Sequence, residues 1–84
     1  MHYQYKTSGT CSVQIDFDID KDKKITNVAF TGGCNGNLKA ISKLVDGMSA
    51  QEIEEKLLGN TCGSKPTSCA DQLARAVHAA SERV

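Results

Sequence analysis

The sequence predicts an α+β fold, in which a small antiparallel sheet of two or three strands packs against three C-terminal helices. Apolar and polar residues alternate with period two in the first half of the chain, and apolar residues recur at helical spacing after Gly32 and Gly33. An order of strands followed by helices is typical of two-layer α+β proteins. At 84 residues, the chain is expected to form a single domain over residues 1–84 with a small core.

The first half of the chain predicts a β-hairpin. Alternation over residues 11–19 predicts a half-buried strand, and a polar turn separates it from a second strand over 24–31 with Val28 and Phe30 facing inward. The inward face of the first strand is expected to carry Cys11, Val13, Ile15, Phe17 and Ile19. Two alternating tyrosines near the N-terminus predict a third strand.

Helix signals begin after this hairpin. Gly47 favours the end of a first helix, and Ser49 with Glu52 forms a capping-box pattern that predicts the start of a second. Gly59 favours the end of this second helix. The residues at helical spacing in the first helix are Leu38, Ile41, Leu44 and Val45.

A third helix is predicted to begin near Ser68, with Asp71 expected to help cap its first turn. Its buried stripe is expected to contain Cys69, Leu73, Ala76, Val77 and Ala80. His78 lies on the opposite side of this helix and is expected to face solvent. His2 lies in a terminus that is expected to fray, so neither histidine is expected to bind a metal.

The four cysteines are the candidate functional residues: Cys11, Cys34, Cys62 and Cys69. They lie beside glycines, serines or helix starts, where free backbone N–H groups and a helix dipole lower the pKa of a thiol. In a reducing compartment such thiolates indicate a site for Zn or an iron–sulfur cluster. The alternatives are buried thiols that pack as small apolar groups, or a thiol-based redox or transfer protein.

Composition narrows the functional classes. A formal net charge of zero argues against a nucleic-acid partner. The sequence shows neither a signal-peptide pattern nor a membrane-spanning stretch, so a cytoplasmic protein without a membrane partner is expected. A His-paired nucleophile and a carboxylate dyad are not apparent, so no catalytic residue is assigned. The small core is compatible with either a monomer or a homodimer.

Three motifs together resemble the TSCPD domain family over nearly the whole chain. They are Thr-Ser-Cys-Ala-Asp at 67–71, Gly-Thr-Cys-Ser at 9–12 and Gly-Gly-Cys-Asn-Gly-Asn at 32–37, with Ala70 where the family name has proline. This family occurs at the C-terminus of adenosylcobalamin-dependent ribonucleotide reductases and as short free-standing proteins. The resemblance implies an accessory role with a ribonucleotide reductase as partner, either through a metal site or as a protein-interaction module without metal.

The order of elements is also similar, more distantly, to that of iron–sulfur scaffold proteins of the IscU/NifU type. That resemblance implies that Cys11, Cys34 and Cys69 correspond to the three scaffold cysteines, with an iron–sulfur recipient protein as partner. The chain departs from the scaffold pattern at Val13, where scaffolds have aspartate, and at Ser68, where they usually have a further ligand. Cys62 would then supply the fourth thiolate of a Cys-only site.

Overall fold

The computed structural model describes residues 1–7, 9–10, 12–33, 35–60 and 67–84. The three strands form one antiparallel sheet in the order β1-β2-β3, which confirms the predicted α+β class and the third strand at the N-terminus. No helix within the described ranges is long and apolar enough to cross a membrane. The elements are β1 (His2–Lys6), β2 (Ser12–Ile19), β3 (Ile25–Gly32), α1 (Asn35–Val45), α2 (Ala50–Leu57) and α3 (Cys69–Ser81).

The helices form a layer against the sheet. Helix α3 contacts both β2 and α2, and α1 contacts β3, so the core lies between the central strand and the last helix. Each large aliphatic or aromatic side chain buried there contributes about 1.5–3 kcal/mol to stability. The largest apolar side chains that are fully buried are Phe17, Ile15, Ile19, Ile25, Ile53, Leu73 and Val77.

A bulge at the start of β2 reverses the predicted faces there. Val13 was expected to face inward, but it is 61 % exposed, whereas Ser12 is 2 % exposed. The pairing with β3 shifts between Ser12 and Gln14, whose partners Gly32 and Thr31 are consecutive. One extra residue in β2 therefore turns Ser12 inward and Val13 outward, while the predicted alternation holds from Ile15 onward.

A second irregularity lies in β3 at Asn27, which has a positive φ of 55°. The pairing of β2 with β3 shifts at this point. The side-chain amide of Asn27 donates to Asp18 Oδ2 at 2.9 Å and holds the residue in this conformation. The shift lets both Ile25 and Val28 face the core. Val28 is buried as predicted, and Phe30 is half-buried against the core.

Helix α1 confirms the predicted apolar spacing at most positions. Leu38 and Val45 are buried, and Ile41 packs against the core. Leu44 follows the same helical spacing, but it is 76 % exposed. It lies at the edge of the apolar stripe, where it lines an open groove between α1 and α2. Gly47 follows the helix with a positive φ of 84°, as expected of a C-terminal stop.

The capping box of α2 forms as predicted. The Ser49 hydroxyl accepts from the Glu52 amide at 3.2 Å, and the Glu52 carboxylate accepts from the Ser49 amide at 3.2 Å. The backbone bond from Ser49, followed by the bond from its side chain, holds the pKa of Glu52 below its ordinary value. Gly59 lies two residues beyond the helix with a positive φ of 83°, which agrees with its predicted role.

Replacing the cap tests how much this box stabilises the fold. We expect Ser49→Ala to lower the free energy of unfolding by about 1 kcal/mol, because an N-terminal amide of α2 loses its acceptor. Gln51→Ala, at an exposed position of the same helix, should change stability by less than about 0.5 kcal/mol. Urea denaturation of both variants measures the difference, and equal stabilities would contradict a structural role for the cap.

Candidate functional site

A polar corner surrounds the first turn of α3, where the start of β2 and the end of α2 meet it. Most of its side chains are polar and buried. Because a buried polar group has no water to bond with, each of them needs a hydrogen-bond partner within the protein. In the described part of the chain, every buried side-chain nitrogen and oxygen has one. The residues of this polar corner are Gly9, Thr10, Ser12, Gly59, Asn60, Thr67, Ser68, Cys69, Asp71 and Gln72.

Cys69 opens α3, as predicted, and its sulfur lies against the sheet. Its Sγ is 3.2 Å from Ser12 Oγ, which joins the first turn of the helix to the start of β2. The side chain is half-buried, in agreement with a position at the end of the buried stripe. The positive end of the α3 dipole lies beside this sulfur.

Two threonines hold Ser12 in this orientation. Thr7 Oγ1 donates to the Ser12 carbonyl at 2.5 Å, and Thr10 Oγ1 donates to the same carbonyl at 3.2 Å. Thr10 Oγ1 is also 3.3 Å from Ser12 Oγ. The serine next to the cysteine sulfur is thus fixed through both its backbone and its side chain.

Ser68 is the N-cap of α3. Its hydroxyl accepts from the Asp71 amide at 3.1 Å and donates to the Asn60 carbonyl beyond α2. Its own carbonyl accepts from the Gln72 amide at 2.8 Å. The prediction that the Asp71 side chain caps this turn is therefore wrong, because Ser68 fills that role and leaves the carboxylate of Asp71 for other donors.

The Asp71 carboxylate is fully buried and joins three segments. It accepts from the Gly59 amide at 2.7 Å, from the Thr67 hydroxyl and from Arg75 Nε at 2.9 Å. Burial by itself would raise the pKa of Asp71, but the bonds from Thr67, Gly59 and Arg75 outweigh it and hold the pKa below its ordinary value. The same contact with Asp71 raises the pKa of Arg75.

Gln72 and Thr67 complete this network. Gln72 Nε2 donates to Thr67 Oγ1 at 3.1 Å, and the Thr67 hydroxyl in turn donates a hydrogen bond to the Asp71 carboxylate. The roles of Gln72, Arg75 and the Thr67 hydroxyl were not predicted from the sequence. The spacing of four residues between Asp71 and Arg75 is a signal for an ion pair on a helix, but the partner Gly59 is not visible in any local pattern.

Three of the four predicted ligands, Cys11, Cys34 and Cys62, lie outside the described residues. The four-cysteine site therefore stays a prediction. Within the described ranges, no three side chains of histidine, cysteine, aspartate or glutamate converge on one point. Only Cys69 of the four can be placed, and it lies in the polar corner.

Both histidines have carboxylate partners. His78 is exposed, as predicted, and its ring nitrogens lie 2.6 Å from Glu54 Oε1 and 3.0 Å from Glu82 Oε1. The terminus that was expected to fray forms β1, where His2 Nδ1 is 3.0 Å from Asp18 Oδ1. These contacts place both rings outside the polar corner.

These features define a small α+β domain whose last helix begins with a cysteine and a buried carboxylate. The family model of the TSCPD domain matches residues 1–81, and the chain belongs to the TSCPD domain family. Comparisons with curated proteins and with solved structures give no match. The more distant resemblance to IscU/NifU-type scaffolds is not shown and stays a prediction.

Asp71→Asn tests the buried carboxylate. We expect the free energy of unfolding at neutral pH to fall by about 2–3 kcal/mol, because an amide group replaces an acceptor that faces only donors. Asp22→Asn makes the same chemical change at an exposed turn and should be nearly neutral. Urea denaturation at neutral pH compares the two variants.

The destabilisation by Asp71→Asn should depend on pH. Since the pKa of Asp71 is lower in the folded chain than in the unfolded chain, its contribution is complete above the ordinary value of about 3.9 and is lost as pH falls through the lowered value. The stability gap between wild type and Asp71→Asn should therefore narrow as pH falls from about 5 to about 2. A gap that stays constant over this range would contradict the role of the charge.

Gly9→Ala tests the close packing of the polar corner. Gly9 has a positive φ of 73°, and a Cβ there would lie 3.2 Å from Thr67 Cγ2, so we expect a loss of about 1 kcal/mol or more. Gly36→Ala, in the first turn of α1, meets no atom within 4 Å and should leave stability unchanged or raise it by up to about 1 kcal/mol. Thermal denaturation of both variants gives the comparison, and equal shifts would contradict this packing.

Proposed function

We propose that the protein binds a metal, as Zn²⁺ or as an iron–sulfur cluster, through the thiolates of Cys11, Cys34, Cys62 and Cys69. The observation that carries the proposal is that described residues flanking all four cysteines meet around one corner of the fold. Ser12 follows Cys11 directly, and its side chain contacts Cys69.

The pairing of β2 with β3 supports the inclusion of Cys34. Ser12 is paired with Gly32, two residues before Cys34, and paired residues of an antiparallel sheet lie about 5 Å apart between Cα atoms. Gly32 is therefore the β3 partner of Ser12, whose side chain contacts the Cys69 sulfur. The chain enters this corner at the end of β3 and then continues into α1.

The end of α2 supports the inclusion of Cys62. Asn60, two residues before Cys62, accepts a hydrogen bond from Ser68, which directly precedes Cys69. On the other side, Thr67 is bonded to Asp71 in the first turn of α3. Asn60 and Thr67, which lie on the two sides of residues 61–66, are therefore both bonded to residues at the start of α3.

The chemistry of the donors fits such a group. Thiolates are the ligands of structural Zn sites and of iron–sulfur clusters, and four of them favour tetrahedral coordination. The first turn of α3 favours the anionic form of the Cys69 sulfur. A site that depends on reduced thiols also suits the cytoplasm, where disulfides are rare.

Membership of the TSCPD domain family suggests a module related to ribonucleotide reductase. Its role would then be that of an accessory protein, which serves either a ribonucleotide reductase or a protein that receives an iron–sulfur cluster. Metal bound at the polar corner would add to the stability of a small core.

Anaerobic purification followed by elemental analysis tests the proposal. We expect about one Zn²⁺ per chain, or iron with acid-labile sulfide and visible absorbance. Cys34→Ala and Cys69→Ala should each lose most of the metal and lower the melting temperature. The double variant His2→Ala/His78→Ala removes two potential ligands outside the corner and should keep the metal.

The alternatives predict other outcomes. Metal-free protein that is fully stable would contradict the metal site, and a single rapidly alkylated cysteine would then favour a thiol redox or transfer protein. Cysteine variants that still bind a ribonucleotide reductase would favour a protein-interaction module. Each result replaces the metal proposal with one of these two functions.

A further inference from the structure

We infer that Ser12 is a positioning residue for the metal-bound sulfur of Cys69, acting through a hydrogen bond from its hydroxyl to Sγ. The inference rests on the proposed function, and it goes beyond the four ligands to the group that orients one of them. Its basis is the 3.2 Å contact between Ser12 Oγ and Cys69 Sγ.

The placement of Ser12 is costly without such a role. The bulge in β2 turns a polar side chain inward, where it is 2 % exposed, and leaves the apolar Val13 61 % exposed. Regular alternation would bury the valine and expose the serine, which is the better arrangement for the hydrophobic effect alone. The bulge instead aims a hydroxyl at the start of α3, and bulges are frequent next to functional sites.

The direction of the bond follows from the chemistry of the sulfur. A metal-bound thiolate has no hydrogen, so it accepts, and the Ser12 hydroxyl donates. Hydrogen bonds to a ligand sulfur fix its orientation and lower its donor strength toward the metal. Ser12 thus affects both how long the metal stays bound and the electronic properties of the centre.

Thr10 supports this donation from one step further away. Thr10 has one hydroxyl hydrogen, and both the Ser12 carbonyl, at 3.2 Å, and Ser12 Oγ, at 3.3 Å, lie within its reach. Because the carbonyl also accepts from Thr7, the Thr10 hydrogen can turn to Ser12 Oγ when the serine donates to the sulfur. A chain of hydroxyls from Thr10 through Ser12 to the sulfur polarises the last bond, because hydrogen bonds in series strengthen one another. The influence of Thr10 on the sulfur should therefore have the same sign as that of Ser12 and be smaller.

Cobalt(II) loading of the metal-free full chain provides the test, because the energy of its thiolate-to-cobalt absorption band reports the donor strength of the sulfurs. Ser12→Ala should shift this band to lower energy, because the sulfur becomes a stronger donor. It should also speed the removal of cobalt by a chelator about 10-fold, because the sulfur is no longer held in its orientation. Thr10→Val should cause a smaller shift in the same direction. Ser12→Thr keeps the hydroxyl and should give the wild-type band and release rate.

The outcomes separate this inference from the proposed function. Wild-type protein without a thiolate-to-cobalt band would contradict the metal site and this inference with it. A normal wild-type band that Ser12→Ala and Thr10→Val leave unchanged would contradict the inference alone. If Ser12→Ala does not fold, Thr10→Val against wild type still decides: a band at lower energy supports the inference, and an unchanged band contradicts it.

Discussion

The arrangement of the last two helices depends on one buried carboxylate. Asp71 accepts from Gly59 after α2, from Thr67 before α3 and from Arg75 within α3. A carboxylate without water is strongly destabilising unless donors surround it, and here three donors take the place of water. These bonds therefore fix the end of α2 and the residue before α3 relative to the first turn of α3.

Such a network contributes more to geometry than to net stability. The cost of removing the charge from water offsets much of the energy of its bonds, so the gain over an apolar substitute is small. Loss of a single member, however, leaves the remaining donors or the charge without a partner. A chain of only 84 residues tolerates so polar a corner because each of these side chains has a partner: Gln72 donates to Thr67, Thr67 to Asp71 and Ser68 to the Asn60 carbonyl.

Features set by neighbouring residues were predictable from the sequence, and features set by distant partners were not. The capping box of Ser49 and Glu52 and the stop at Gly47 depend on a few consecutive residues, and both formed as predicted. The inward turn of Ser12 depends on how β2 pairs with β3, which alternation within one strand does not reveal.

The candidate site follows the same rule. Cys69 was expected at the start of α3 because the residues around Ser68 indicate a helix start locally, and the structure agrees. Asp71 was misassigned because a short acidic side chain in the first turn of a helix is usually a cap, whereas its actual partner Gly59 is 12 residues away. The convergence of all four cysteines stays a prediction, since three of them lie outside the described residues.

The two anchors around the first turn of α3 also bear on how this family can diverge. Asn60 is bonded to Ser68, and Gly59 to Asp71, so the chain is pinned on the near side of residues 61–66, while Thr67 pins it on the far side. Closing a loop between fixed ends costs only slightly more as the loop grows. Insertions or deletions between the anchors would leave Cys69 and the docking of α3 undisturbed.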